Sequence, residues 1–232
     1  MKLAYFAVAI AFLSLGTWAA IPQWDYLFLV QQWCPAFCKV ETQGKCVLPS
    51  DWAVNPRWTI HGLWPTLGVT EGPNDCSNGT FDPTSVQDLM PELLEFWPDC
   101  IDEPKYSFWE HEWLKHGTCA ASDSLLQTEH AYFSAVLKLY KSLNLTSILE
   151  KHSIVPSRDK RYSLSDFINA FTQTSGFKPV VQCKEHSGST YVQSILFCVD
   201  KTLSVMNCTE QVYQKETTCW STDSITYFEV TE

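Results

Sequence analysis

The chain has 232 residues, of which 45% are hydrophobic, and its formal net charge at pH 7 is −10. This length and composition predict one sizeable globular domain, because no internal repeat, low-complexity tract or Gly/Ser-rich linker divides the chain. The acidic balance excludes the broad basic surface that drives tight binding to duplex nucleic acid, so any nucleic-acid substrate should be held locally.

The N-terminal segment is typical of a secretory signal peptide. A charged start precedes an apolar run at residues 4–15, and small residues follow at Ala19 and Ala20. The run is too short to span a bilayer, which needs about 20 residues; a membrane anchor or a buried helix is the competing interpretation. We expect cleavage after Ala19, so that residues 1–19 are removed and residues 20–232 form the mature domain, without membrane attachment.

Strand and helix patterns follow one another along the mature chain. Apolar runs bounded by turn residues predict strands at residues 23–34, 57–63, 178–183, 190–199 and 203–208. Capping, proline and periodicity signals predict helices that begin near Asp82, Pro91, Ser107, Glu129 and Ser163. Because the helices have strands on both sides, we predict an α+β fold in which a central antiparallel sheet packs against several helices in a disulfide-stapled single domain.

Ten cysteines and three sequons indicate an exported chain. The cysteine count is even, so all ten can pair as disulfides in an oxidising compartment, although the connectivity does not follow from the count. Asn78, Asn144 and Asn207 begin Asn-x-Ser/Thr sequons and are candidate glycan acceptors. We expect a secreted glycoprotein that is a monomer, and delivery to a lysosome or vacuole stays open as an alternative.

Residues 108–119 read Phe-Trp-Glu-His-Glu-Trp-Leu-Lys-His-Gly-Thr-Cys and concentrate titratable groups. Ser107 and Glu110 match a capping box, which predicts a helix that begins there and ends at Gly117. At about 100° per residue, four polar groups fall at roughly 0°, 40°, 100° and 140° on one helix face: His111, Lys115, Glu112 and His116. A solvated helix face is the competing interpretation. The two histidines are five residues apart rather than four, which disfavours a shared zinc ion, and we expect no metal site.

Residues 58–65 read Trp-Thr-Ile-His-Gly-Leu-Trp-Pro and place His61 between two tryptophans. A lone histidine in such a setting is more often a packed core residue than a catalyst, but the second segment supplies a partner. Cleavage of RNA by internal transfer needs one group to remove the 2′-OH proton and another to protonate the 5′-oxygen. Histidines suit both tasks because their pKa lies near the working pH. Lys115 and His111 can supply positive charge to the phosphorane.

The two segments resemble the two active-site signatures of the T2 ribonuclease family, and the resemblance extends through the cysteine pattern to nearly the whole mature chain, closest to the animal branch. It implies an α+β endoribonuclease that cleaves single-stranded RNA, with no cofactor, to 2′,3′-cyclic phosphate and then 3′-phosphate ends. It also assigns catalytic roles: His116 matches the base, His61 the acid, and Glu112 and Lys115 the groups that polarise the phosphate and stabilise the transition state.

The resemblance also assigns substrate-binding roles. His111 matches a phosphate-binding histidine, Trp64 an aromatic that stacks on a base, and Phe108 a residue of the second base site. Thr66 stands where some members have an aspartate that contacts a base, so the base preference does not carry over.

The resemblance implies four disulfides, Cys38–Cys46, Cys76–Cys119, Cys183–Cys219 and Cys198–Cys208. Cys34–Cys100 is the pair that then remains.

The alternative function is of another class, a secreted glycoprotein with a signalling or binding role that uses the ribonuclease fold as a scaffold. Loss of catalytic positions would favour that alternative, and none of the five polar positions of the two segments is lost.

Overall fold

The computed structural model describes residues 23–42, 46, 48, 52, 55–69, 71–101, 106–220 and 224–229. The predicted signal peptide, residues 1–19, lies outside the described residues. The strands are β1 (Tyr26–Gln32), β2 (Thr59–Thr66), β3 (Val180–His186), β4 (Ser189–Val199), β5 (Val205–Met206) and β6 (Ile225–Thr226). The α-helices are α1 (Cys34–Glu41), α2 (Met90–Phe96), α3 (Ser107–Glu112), α4 (Thr118–Ala120), α5 (Glu129–Ser142), α6 (Leu145–Lys151), α7 (Leu164–Ser175) and α8 (Glu210–Glu216). Within these ranges, no helix has the length and apolar character that a bilayer span requires.

The described strands form one sheet in the order β2-β1-β4-β3, and the short strands β5 and β6 both pair with β4. All of these pairings are antiparallel except that of β6 with β4, which is parallel. The α+β class with a central antiparallel sheet is therefore confirmed.

The two faces of the sheet pack into different cores. Leu27 and Leu29 of β1 belong to the main core, which the helices between β2 and β3 complete. On the opposite face, Phe28 and Leu196 belong to a smaller cluster that α8 covers with Val212. Phe28 and Leu196 also line a cleft of about 360 Å³, so this cleft opens on the second face.

Most predicted elements are present, although their ends differ. Asp82 caps a 3₁₀ helix at Pro83–Leu89, and Ser163 forms a capping box at the start of α7. The capping box predicted at Ser107 is wrong, because Tyr106, with φ of 81°, is the N-cap and Ser107 is already helical. The sequence patterns do not predict α1, α6 or α8, whose apolar faces are short.

The ten cysteines form five disulfides: Cys34–Cys100, Cys38–Cys46, Cys76–Cys119, Cys183–Cys219 and Cys198–Cys208. Four of them are the pairs that the family resemblance implies, and Cys34–Cys100 is the pair that those four leave over.

Candidate active site

A β-bulge in β2 directs His61 toward the cleft. Consecutive residues of β1 pair with Ile60 and Gly62, so His61 is the extra residue between them. Bulges bend a strand and re-aim side chains, and they are common beside active sites. His61 thereby meets Trp64, with ring centroids 4.9 Å apart, although residues three apart in a regular strand point to opposite faces.

Buried hydrogen bonds hold this part of β2 from the side of the main core. Trp97 Nε1 donates a hydrogen bond to the carbonyl oxygen of His61 at 2.9 Å. The hydroxyl of Tyr132 donates a hydrogen bond to the carbonyl oxygen of Leu63 at 3.0 Å. Trp97 and Tyr132 are both fully buried. The backbone that carries His61 is therefore fixed by side chains that cannot turn toward water.

The second segment forms a helical stretch from Ser107 to Ala120 that contains a π-helical turn at Trp113–Gly117. Gly117 has φ of −60° and the helix continues through it, so the prediction that Gly117 ends the helix is wrong. A Cβ atom on Gly117 would lie 2.2 Å from Cε3 of the Trp113 indole, so glycine lets this ring pack against the turn. Because a π turn is wider than an α turn, the regular 100° per residue does not hold as far as His116.

Glu112 lies buried between the two segments, with a side chain that is 1% exposed. Its Oε2 accepts a hydrogen bond from Trp64 Nε1 at 2.9 Å, and its Oε1 lies 3.7 Å from His61 Nε2. Gly62 makes room for the carboxyl group, since a Cβ atom there would lie 2.0 Å from Oε2 of Glu112. Gly62 of the first segment therefore lies directly against the carboxyl group of Glu112 of the second segment.

The indole of Trp64 contacts both candidate catalytic histidines. It stacks on His116 with ring centroids 5.1 Å apart and an angle of 26° between the planes, and it meets His61 at 82°. Phe108 packs against His61 at 5.6 Å. One rigid ring therefore contacts both imidazoles.

The surroundings favour the neutral form of both histidines and of Glu112. Burial, together with the charges of His111 and Lys115, lowers the pKa of His61 to about 4. Burial and Lys115 lower the pKa of His116 to about 3, and its buried Nδ1 has no hydrogen-bond partner among the described residues, so a charged ring would bury an unsatisfied N–H there. Burial raises the pKa of Glu112 to about 8, against the opposing effects of the Trp64 hydrogen bond and Lys115.

Six of the seven candidate site residues line one cleft of about 360 Å³: His61, Trp64, His111, Glu112, Lys115 and His116. Phe108, the seventh, joins them through its contact with His61. Among the described residues, no group of three or more His, Cys, Asp or Glu is arranged to hold a metal ion.

The same cleft has a second half that the sequence patterns do not predict. Besides Thr66, it is lined by residues of β1, β3, β4, α8 and the loop after β2: Phe28, Glu71, Asn74, Gln182, Leu196 and Glu216. Because these residues come from so many elements, no local sequence motif predicts that they line one cleft. The one sequence feature that could have indicated any of them is that residues 71–74 follow the first segment closely in the chain.

Comparisons with known proteins point to one family. The family model described as the Ribonuclease T2 family matches residues 24–208. The chain is 40% identical over 190 residues to Ribonuclease T2 of Danio rerio, an alignment that covers 80% of this chain and 73% of the relative. The crystal structure of human RNase T2 superposes with a TM-score of 0.72 at 31% identity, covering 89% of this chain and 99% of that one. RNase NT, crystallised in complex with 5′-AMP, gives a TM-score of 0.71 at 30% identity, covering 80% and 91%.

Proposed function

The chain belongs to the Ribonuclease T2 family and is an RNA-cleaving enzyme, and from this premise we propose that it cleaves single-stranded RNA without a metal ion, through a 2′,3′-cyclic phosphate to a 3′-phosphate end. The observation that carries the proposal is that His61 and His116 both contact the Trp64 indole and line the same cleft. Two imidazoles in one cleft can act on the two oxygens of one phosphodiester.

In the first step, His116 removes the proton of the 2′-hydroxyl, and the 2′-oxygen forms a bond to phosphorus. The bond from phosphorus to the 5′-oxygen breaks, and His61 gives its proton to that oxygen. Burial and the charge of Lys115 lower the pKa of His116, which favours the neutral form that a base needs. In the second step, water opens the cyclic phosphate while the two histidines exchange roles.

The remaining polar groups stabilise the phosphorane. Lys115 and His111 line the cleft beside the two histidines and supply positive charge to its oxygens. Burial keeps the pKa of Glu112 at about 8, so at acidic pH its carboxyl group is protonated and can donate a hydrogen bond to a phosphorane oxygen. A neutral donor also avoids repulsion between a carboxylate and the phosphate.

We also propose export as a monomeric glycoprotein with residues 1–19 removed, followed by secretion or lysosomal delivery. The side chains of Asn78, Asn144 and Asn207 are exposed, as glycan attachment requires. Asn144 caps α6 through Oδ1, which leaves its amide nitrogen available. The alternative of a purely non-enzymatic signalling protein is not favoured, because the catalytic cleft is complete.

The proposal is tested by incubating the mature protein with single-stranded RNA at about pH 5 in excess EDTA and determining the product ends by mass spectrometry. Cyclic phosphate ends should appear first and convert to 3′-phosphates with time. Cleavage that stops in EDTA, or products with 5′-phosphate ends, would contradict the proposal.

A further inference from the structure

The cleft holds a lysine among the groups that act on the phosphate and two carboxylates elsewhere on its wall. Lys115 lines it with His61, His111 and His116, whereas Glu71 and Glu216 line the part near Thr66, the acidic end. Carboxylates weaken the binding of a polyanion unless they meet hydrogen-bond donors. The acidic end is therefore suited to the part of a nucleotide that carries donors and no charge, which is the base.

Both carboxylates are held at the Thr66 end of β2. Gly72, next to Glu71, packs so closely on β2 that a Cβ atom there would lie 1.6 Å from the carbonyl oxygen of Pro65. On the other side, Lys215 of α8 donates a hydrogen bond to the carbonyl oxygen of Val69, which ties the end of α8 to the same loop. Glu216 is the next residue; its Oε1 lies 3.5 Å from Lys215 Nζ, and its side chain is 28% exposed.

Apolar groups and one aromatic ring complete this end of the cleft. Phe28 and Leu196 line it from the sheet, and the ring of Trp64, which contacts His61 and His116, lines the same cleft. A base that stacks on an aromatic ring presents its edge sideways, toward whatever polar groups surround the ring. Glu71 and Glu216 are among the polar groups that line the cleft together with Trp64.

Among the bases, guanine offers a carboxylate the best partner, because its N1–H and its N2 amino group are adjacent donors that one carboxylate accepts together. Uracil has one N–H between two carbonyl oxygens that repel a carboxylate, and adenine and cytosine each offer one amino group. We infer that Glu216, assisted by Glu71, selects guanine as the base of the nucleotide whose 2′-oxygen attacks phosphorus. This inference rests on the proposed function and goes beyond the family match, which ends at residue 208.

The test uses four DNA oligonucleotides, each with one ribonucleotide, G, A, C or U, at the same position, so that cleavage can occur only there. We expect kcat/KM for the G strand to exceed that for the U strand at least about tenfold, the scale of one bidentate base contact. Glu216→Gln should lower the G/U ratio about tenfold by slowing cleavage after G while cleavage after U keeps its rate. Glu210→Gln, on the same helix but outside the cleft, is the matched control and should keep the wild-type ratio.

The outcomes separate the inference from the proposed function. A wild-type G/U ratio of one or less, or a ratio that Glu216→Gln leaves unchanged, overturns the inference while RNA cleavage stands. Absence of cleavage at all four ribonucleotides overturns the proposed function, and the inference with it.

Discussion

Lys115 acts on the cleft in two ways. Its positive charge lowers the pKa of His61, His111 and His116, and the same charge is available to the phosphorane. Under the proposed function, the cation that stabilises the phosphorane therefore also adds to the effect of burial, which is the largest cause of the low pKa values of the histidines. Because both effects come from one charge, removing it should change the rate and the pH profile together.

For Lys115→Gln we predict a fall in kcat/KM of about 10²–10³-fold and a bell-shaped pH profile that moves toward higher pH. The sign follows from the charge: without it, His61 and His116 bind protons more easily, so both pKa values rise and both limbs of the profile shift upward. The measurement is kcat/KM on single-stranded RNA across the acidic and neutral range.

The matched control is Lys138→Gln, which removes the charge of an exposed lysine of α5 that does not line the cleft. It should keep the wild-type profile. A Lys115→Gln profile that falls in height without moving would show that the charge does not set the pKa of either histidine.

At the scale of elements, the π turn at Trp113–Gly117 joins the helical residues before it to His116 in the cleft. The turn depends on Gly117, because its Cα faces the Trp113 indole with no space for a methyl group. Trp113 in turn packs edge-to-face on Tyr132, which holds the backbone of β2. A disturbance at Gly117 should therefore reach both segments of the active site.

We predict that Gly117→Ala lowers the free energy of unfolding by about 1–3 kcal/mol, the usual cost of overpacking, and reduces kcat as His116 moves. Chemical denaturation and steady-state kinetics measure the two effects. Gly79→Ala is the control, because a Cβ atom at Gly79 would meet only the Ser77 hydroxyl, at 3.3 Å. If Gly117→Ala equals the control in both measurements, the glycine does not maintain the turn.

At the scale of the whole molecule, the sequence predicts which residues form the candidate site better than it predicts the backbone geometry that brings them together. The two segments could be identified because each concentrates its chemistry within a few residues, and the strands of the sheet could be identified from their apolar runs. The bulge at His61 and the π turn that contains His116 depend on pairing and packing with distant residues, so local patterns do not reveal them. Glu216 is still less visible, because only the docking of α8 on the loop after β2 brings it into the cleft.

The division of labour between His61 and His116 is tested most directly with RNA whose scissile 5′-oxygen is replaced by sulfur. A thiolate leaves without a proton, so this substrate needs a base but no acid. His61→Ala should be about 10²–10⁴-fold slower than wild type on normal RNA and close to wild type on the sulfur substrate, whereas His116→Ala should be slow on both. If the sulfur substrate restores His116→Ala instead, or restores neither variant, the assignment of acid and base is wrong.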